Sequence, residues 1–139
     1  MKKSYWLLLI SVVFLFGCGL AYQSKRDELL RTAKPEDWGT PPPANHQEIE
    51  KQFVLERLKD PDSAKFKFGT EEATREILQE SFASPTPILV WQTKVNVNAK
   101  NSYGGYVGFK PYLFAWKDSK IYAYFTDSGG NISFWEYVK

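Results

Sequence analysis

The chain has 139 residues, with 18 basic and 16 acidic side chains, one cysteine and one histidine. So even a charge balance argues against a phosphate-backbone binder, and hence against nucleic acid as a partner. The lone His46 stands beside a Pro-rich spacer and there is a single Cys, which provides poorly for a Ser-His-acid or metal set. A carboxylate pair for glycan hydrolysis would draw on acids that cluster in helix-like segments, where solvated faces are the default, so no catalytic residue, metal site or cofactor is predicted.

The N-terminus opens on Met1-Lys2-Lys3, followed by an apolar run from Trp6 to Phe16 interrupted only by Ser11. That run is shorter than the ~20 residues of a comfortable membrane span, and polar sequence follows it. It ends in Leu15-Phe16-Gly17-Cys18. A small residue directly before a lone Cys, with Leu three places ahead of it, resembles the lipobox of bacterial lipoprotein signal peptides. The resemblance implies that residues 1–17 are a signal peptide cut before Cys18. It also implies that the Cys18 sulfur carries a diacylglycerol and that its new amine is acylated. Gly19 in place of Asp implies, by the sorting habit of enteric lipoproteins, the outer membrane, with the chain facing the periplasm. Loss of Lys2 and Lys3 leaves equal numbers of basic and acidic side chains. Acylated Cys18 leaves no thiol for a disulfide.

Residues 18–45 read as a tether. Gln23 to Arg31 can form a short helix, and Lys34 to Pro43 is a Pro-rich, semi-rigid spacer. As a coil the tether spans ~30 Å. Trp38 is the exception in this polar stretch and is expected to fold back on the domain or to sit at a partner surface.

Residues 46–139 read as one α+β domain: a small antiparallel meander of four to five strands with one main amphipathic helix packed across it. In Gln47 to Lys59, Ile49, Phe53, Val54 and Leu58 share a face, with Asn45 as N-cap and Glu48 at the reciprocal capping position. Asp60-Pro61 ends that helix, with Asp60 capping a following turn. Lys65-Phe66-Lys67-Phe68 alternates as a short strand with its Phe residues inward. Thr70 to Glu80 favours helix, or is an excursion between strands. Ser81 to Pro87 is a loop. From Ile88 to Ala99, Leu89, Trp91, Thr93, Val95 and Val97 line one strand face and Gln92, Lys94, Asn96 and Asn98 the other. Tyr106 to Lys117 is apolar on both faces, Asp118-Ser119 is a tight hairpin turn, and Ile121 to Phe125 is the next strand. Asp127 to Asn131 turns the chain into a last strand, Ile132 to Val138.

Between the two central strands, Asn101-Ser102-Tyr103-Gly104-Gly105 supplies the residues of a hairpin loop, with at least one glycine at positive φ. The Gly spacing does not meet the dinucleotide-binding pattern. Asn96, Asn98, Lys100, Asn101, Tyr103, Gly104, Gly105 and Tyr106 form the candidate contact site. A purely structural account, with the glycines turning the chain and Asn98 and Asn101 capping it, stands beside that reading. His46 reads as a surface residue at a helix start. Trp91, Trp116 and Trp135 read as core, or as platforms for a sugar or protein where exposed.

The segments Leu58-Lys59-Asp60-Pro61-Asp62-Ser63-Ala64-Lys65-Phe66 and Val97 to Phe109 resemble small exported proteins and lipoproteins of Gram-negative bacteria and their mobile elements. That resemblance carries no activity with it. The partner expected is another envelope protein; the alternative is a glycan, peptidoglycan or lipopolysaccharide.

The lipobox-like ending predicts that Cys18→Ser leaves the precursor unprocessed and without incorporated fatty acid. Radiolabelled palmitate and gel mobility check this; a wild-type chain that takes up no label refutes it.

Overall fold

A computed structural model describes residues 23–70, 72–79, 87–126 and 135–138. Cys18, the signal peptide, the 81–86 loop and the 127–131 turn lie outside the described residues. The chain divides into two compact units, 1–37 with 77–88 and 38–76 with 89–139.

In the first unit, helix α1 (residues 23–32) coincides with the expected short helix. The Thr32 hydroxyl donates to the Glu28 carbonyl at 2.8 Å and the Ala33 amide to Leu29 O at 2.8 Å. Both bonds satisfy carbonyls that a helix end leaves open. A 3-10 turn follows at Pro35–Trp38, and Asp37 Oδ2 accepts the Lys34 amide at 2.8 Å.

The second unit contains α2 (His46–Leu55) and a 3-10 turn at Pro61–Ser63. The sheet is antiparallel and six-stranded: β1 (Lys65–Phe68), β2 (Thr74–Gln79), β3 (Pro87–Asn98), β4 (Lys110–Lys117), β5 (Lys120–Thr126) and β6 (Glu136–Tyr137). Its order is β1-β3-β4-β5-β6, with β2 also paired to β3. The count exceeds the expected four to five because Thr74–Gln79 is a strand. Helix propensity in so short a segment gives way to a partner strand's hydrogen bonds.

The β3–β4 register puts Trp91 opposite Trp116, Thr93 opposite Phe114 and Val95 opposite Tyr112. With side chains alternating, these residues share one face. On it Val95, Val97, Phe114, Trp116 and Val54 form a buried cluster, with Phe53, Leu58, Phe66 and Phe68 partly buried against it. Phe53 meets Phe114 and Tyr124 edge-on, at centroid distances of 5.5 and 5.0 Å. Phe114, Ala115 and Trp116 are all buried, so β4 is covered on both faces at this point, as its two-sided apolar pattern implies.

Three end effects differ from the sequence reading. Asn45 makes no side-chain cap; its carbonyl accepts from Glu48 N–H at 3.1 Å, while His46 N–H closes on Pro43 O at 2.9 Å. The helix starts out of a backbone turn that leaves the Asn45 side chain no capping role. α2 stops at Leu55, four residues short of Lys59, where Arg57 and Leu58 both direct their N–H groups to Val54 O. Two donors on one carbonyl break the regular ladder. Asp60 likewise makes no side-chain cap; instead the Ser63 hydroxyl donates to Asp60 O at 2.9 Å, with Pro61 at the first helical position as expected.

The end of the Pro-rich stretch is held down. Trp38 is buried, and the Arg75 guanidinium lies over its ring at 5.8 Å and over Trp91 at 5.2 Å. Trp91 Nε1–H donates to Gly39 O at 3.2 Å, and the Ser119 hydroxyl to Pro41 O at 3.1 Å. Asp118 and Ser119 both have positive φ, 50° and 62°, the geometry that a two-residue hairpin turn needs to match strand twist. Gly39 has φ +68°, and a β-carbon there would stand 2.5 Å from Asp118 Oδ1.

Gly39→Ala therefore meets both backbone strain and a contact with the hairpin turn. It is expected to destabilise by about 1–3 kcal/mol. Chemical denaturation checks this; an unchanged midpoint would mean that the contact between Gly39 and the Asp118 turn does not contribute to stability.

Candidate functional site

The β3–β4 connection is built as a small closed ring. An isolated bridge pairs Lys100 with Tyr106, Asn101 N–H donates to Gly105 O at 2.9 Å, and Gly104 N–H to Asn101 O at 3.0 Å. The Asn101 side-chain oxygen accepts the amides of Tyr103 (2.9 Å) and Gly105 (3.1 Å). A short amide that caps its own loop explains why Asn stands here. Gly104 carries the positive φ, +79°, whereas Gly105 does not.

The ring is pinned to the Pro61–Ser63 turn. Ser63 Oγ accepts the Lys100 amide at 3.0 Å, Ser63 O accepts the Tyr106 hydroxyl at 3.1 Å, and Lys59 Nζ donates to Ser102 Oγ at 3.0 Å. Phe66 pairs with Val97. The two sequence segments singled out above thus form one spatial unit, and the first is the base on which the second stands.

Its outer side is aromatic and cationic. Tyr103 is 97 % exposed and Val107 58 %, with Tyr106 and Phe109 also exposed. Lys65 Nζ lies 4.4 Å from the Tyr106 ring centroid, Lys100 Nζ 5.9 Å from it, and Lys67 Nζ 4.1 Å from that of Phe109. Each cation gains from the ring's negative face, which also holds its flexible stem.

Of the eight candidate residues, Lys100, Asn101, Tyr103, Gly104, Gly105 and Tyr106 come together in this tip. Asn96 and Asn98 stay in the sheet, opposite Lys67 and Lys65 respectively. Asn98 Oδ1 is buried without a hydrogen-bond partner among the described residues. Asn96 borders a separate, polar cavity of about 180 Å³ with Glu72, Thr74, Gln92, Lys94 and Leu113. The sequence reading did not include Lys59, Ser63, Lys65, Lys67, Val107 or Phe109. The signal for the lysines was the alternation of β1, which turns Lys65 and Lys67 away from the core that Phe66 and Phe68 face.

A second polar cluster is interior. Glu50 is 1 % exposed and Thr93 7 %. Trp116 Nε1–H donates to Thr93 Oγ1 at 2.8 Å, so the single Thr93 proton goes to Glu50 Oε1. His46 Nδ1 reaches the same oxygen at 3.1 Å, and its ring stands edge-on to Trp116 at 6.3 Å. His46 is therefore half-buried and engaged, not a free surface residue. Glu50 Oε2 has no partner among the described residues. At the far side of Phe53, the Tyr124 hydroxyl donates to Glu136, and burial, followed by that carboxylate, pushes its phenol pKa up.

Among the described residues no group of three or more His, Cys, Asp or Glu is placed to hold a metal ion, and no helix is long and apolar enough to cross a membrane. No protein-family model, curated protein or solved structure matches the chain.

The two glycines of the tip are expected to differ. A β-carbon at Gly104 meets nothing within 4 Å but inherits a left-handed backbone, whereas at Gly105 it makes only ordinary contacts with Asn101. Gly104→Val should cost more than about 1 kcal/mol and Gly105→Val less than about half of that. Denaturation midpoints check the order; equal costs would contradict the positive-φ assignment.

Proposed function

We propose that the chain is a lipid-anchored envelope protein, attached through Cys18 to the outer membrane and facing the periplasm, whose tip binds another envelope protein without catalysis. The observation that carries this is the run Tyr103, Tyr106, Val107, Phe109: four exposed apolar or aromatic side chains within seven residues. Contiguous exposed apolar surface rimmed by charge is characteristic of protein contact sites. Hydrogen bonds to Ser63 and within the Asn101 ring hold the tip in shape before it meets a partner, which lowers the ordering cost of binding. We read α2 as docked across the core face of the sheet, supported by Glu50–Thr93 and Phe53–Phe114, so that Lys59, four residues beyond its end, reaches Ser102.

The second reading is a glycan-binding module for peptidoglycan or lipopolysaccharide. What favours it is the cavity lined by Gln92, Asn96, Thr74, Glu72 and Lys94, amide and charged groups suited to sugar hydroxyls. Among the described residues no aromatic ring lines that cavity to stack on a sugar face, so the protein-partner reading is preferred.

A photo-crosslinking residue at Val107 of the full chain in intact cells tests the choice. It should capture a discrete protein, and Lys100→Ala with Tyr103→Ala should abolish capture while leaving abundance and membrane location unchanged. Capture that persists in that variant, or no capture at all, would reduce the tip to architecture.

A further inference from the structure

An aromatic tip ringed by lysines fits an apolar recess ringed by acids, and one such recess lies on this chain. Along α2, Ile49 and Phe53 floor an open groove of about 370 Å³, bordered by Glu48, Gln52 and Glu56. Both glutamates are exposed. The Arg57 guanidinium at its end lies 3.4 Å from the Phe53 ring centroid, donates to Phe53 O at 2.9 Å and stands 3.9 Å from Glu56 Oε2. Gln52 donates to Glu56 Oε1 at 3.0 Å. These partners are exposed and leave Glu48 as the unshared acid of the groove among the described residues. The tip carries the opposite sign, with Lys59, Lys65, Lys67 and Lys100 around it and only Asp60 and Asp62 on the turn below.

We propose that the tip of one copy seats in the α2 groove of a second copy of this chain. Tyr103 and Val107, the two most exposed apolar side chains among the described residues, lose water against Ile49 and Phe53. Lys65 and Lys100 meet Glu48 and Glu56, and this charge match orients the contact and speeds encounter more than it strengthens it. Because each copy presents a tip and a groove, the contact is of unlike surfaces, and it closes when two copies exchange tips. Anchoring by lipid holds copies in one plane and raises their effective concentration, so a contact too weak for free solution still forms there. The inference rests on the reading of the tip as a contact surface and names its occupant.

The test uses the full chain in intact cells, with p-benzoyl-phenylalanine replacing Tyr103. The expected product is an adduct of two copies, with the crosslinked peptide falling in His46–Leu55 or at Glu56. Glu48→Lys with Glu56→Lys should lower that adduct by about tenfold, as should Lys65→Glu with Lys100→Glu. Co-expression of the two reversed forms, with the crosslinker on the tip-reversed copy, should restore it; this also shows that both are folded. An adduct unchanged by either reversal, or a loss that co-expression does not repair, overturns the pairing. An adduct to a different protein overturns self-docking but keeps the tip as a contact surface. Absence of any adduct from position 103 or 107 overturns both.

Discussion

Among the described residues, the two buried polar side chains, Glu50 of α2 and Thr93 of β3, are joined to each other by a hydrogen bond and through Thr93 to Trp116 of β4. A buried carboxyl without donors is among the costliest features a small domain can carry, because the charge loses water and gains nothing. Here Thr93 meets it as a donor while accepting from Trp116, and His46 closes the outer side. The three groups meet in the register that sets Thr93 opposite Phe114 and Trp91 opposite Trp116. Apolar side chains such as Val95 and Phe114 tolerate small slips; this chain of donors and acceptors does not. Specificity of arrangement, more than net stability, is what such a buried network contributes.

At the other end of β3, a separate register against β1 positions the tip. With Phe66 opposite Val97 and Lys65 opposite Asn98, the Pro61–Ser63 turn stands where Ser63 can take the Lys100 amide and the Tyr106 hydroxyl. The loop is thereby shaped by backbone and Asn101 bonds, while its longest side chains remain outside. Different residues hold the form and face outward: Asn101, Gly104, Ser63 and Lys59 shape the loop, and Tyr103, Val107, Lys65 and Lys100 stand outside it. Variants of the second set therefore test the proposed contact without removing the bonds of the first.

Much of this was legible in the sequence where a local pattern has one cause. Strict alternation marked β1 and β3, the two-sided apolar run marked β4, and Asp118-Ser119 and Gly104 stood where the backbone required positive φ. The failures share a different origin. Thr74–Gln79 contains good helix formers, and its strand state comes from a partner distant in sequence. Asn45 has the chemistry of a cap, yet the turn from Pro43 already supplies the helix start. Gly39 reads as part of a spacer, and its constraint exists only because the Asp118 turn lies against it. Thr93 falls in line with the apolar residues of its strand face, and Glu50, three and four residues before Phe53 and Val54, carries no mark in the helix pattern. Two polar residues on apolar faces that must meet are a signal of a buried hydrogen bond. The tip was located correctly as a loop, but Lys65 and Lys67, two of the four lysines around it, come from a strand whose outward face periodicity alone does not connect to it.

The dependence of the fold on the buried network is tested most directly by hydrogen exchange at the Trp116 indole, one of five in the chain. A proton donated to Thr93 in a fully buried site should exchange only through global unfolding, with a protection free energy equal to that from denaturation. Thr93→Val, which removes the acceptor while keeping the shape, should lower both together. Rapid exchange of that indole in the native protein, or loss of its protection in Thr93→Val with global stability unchanged, would contradict the account.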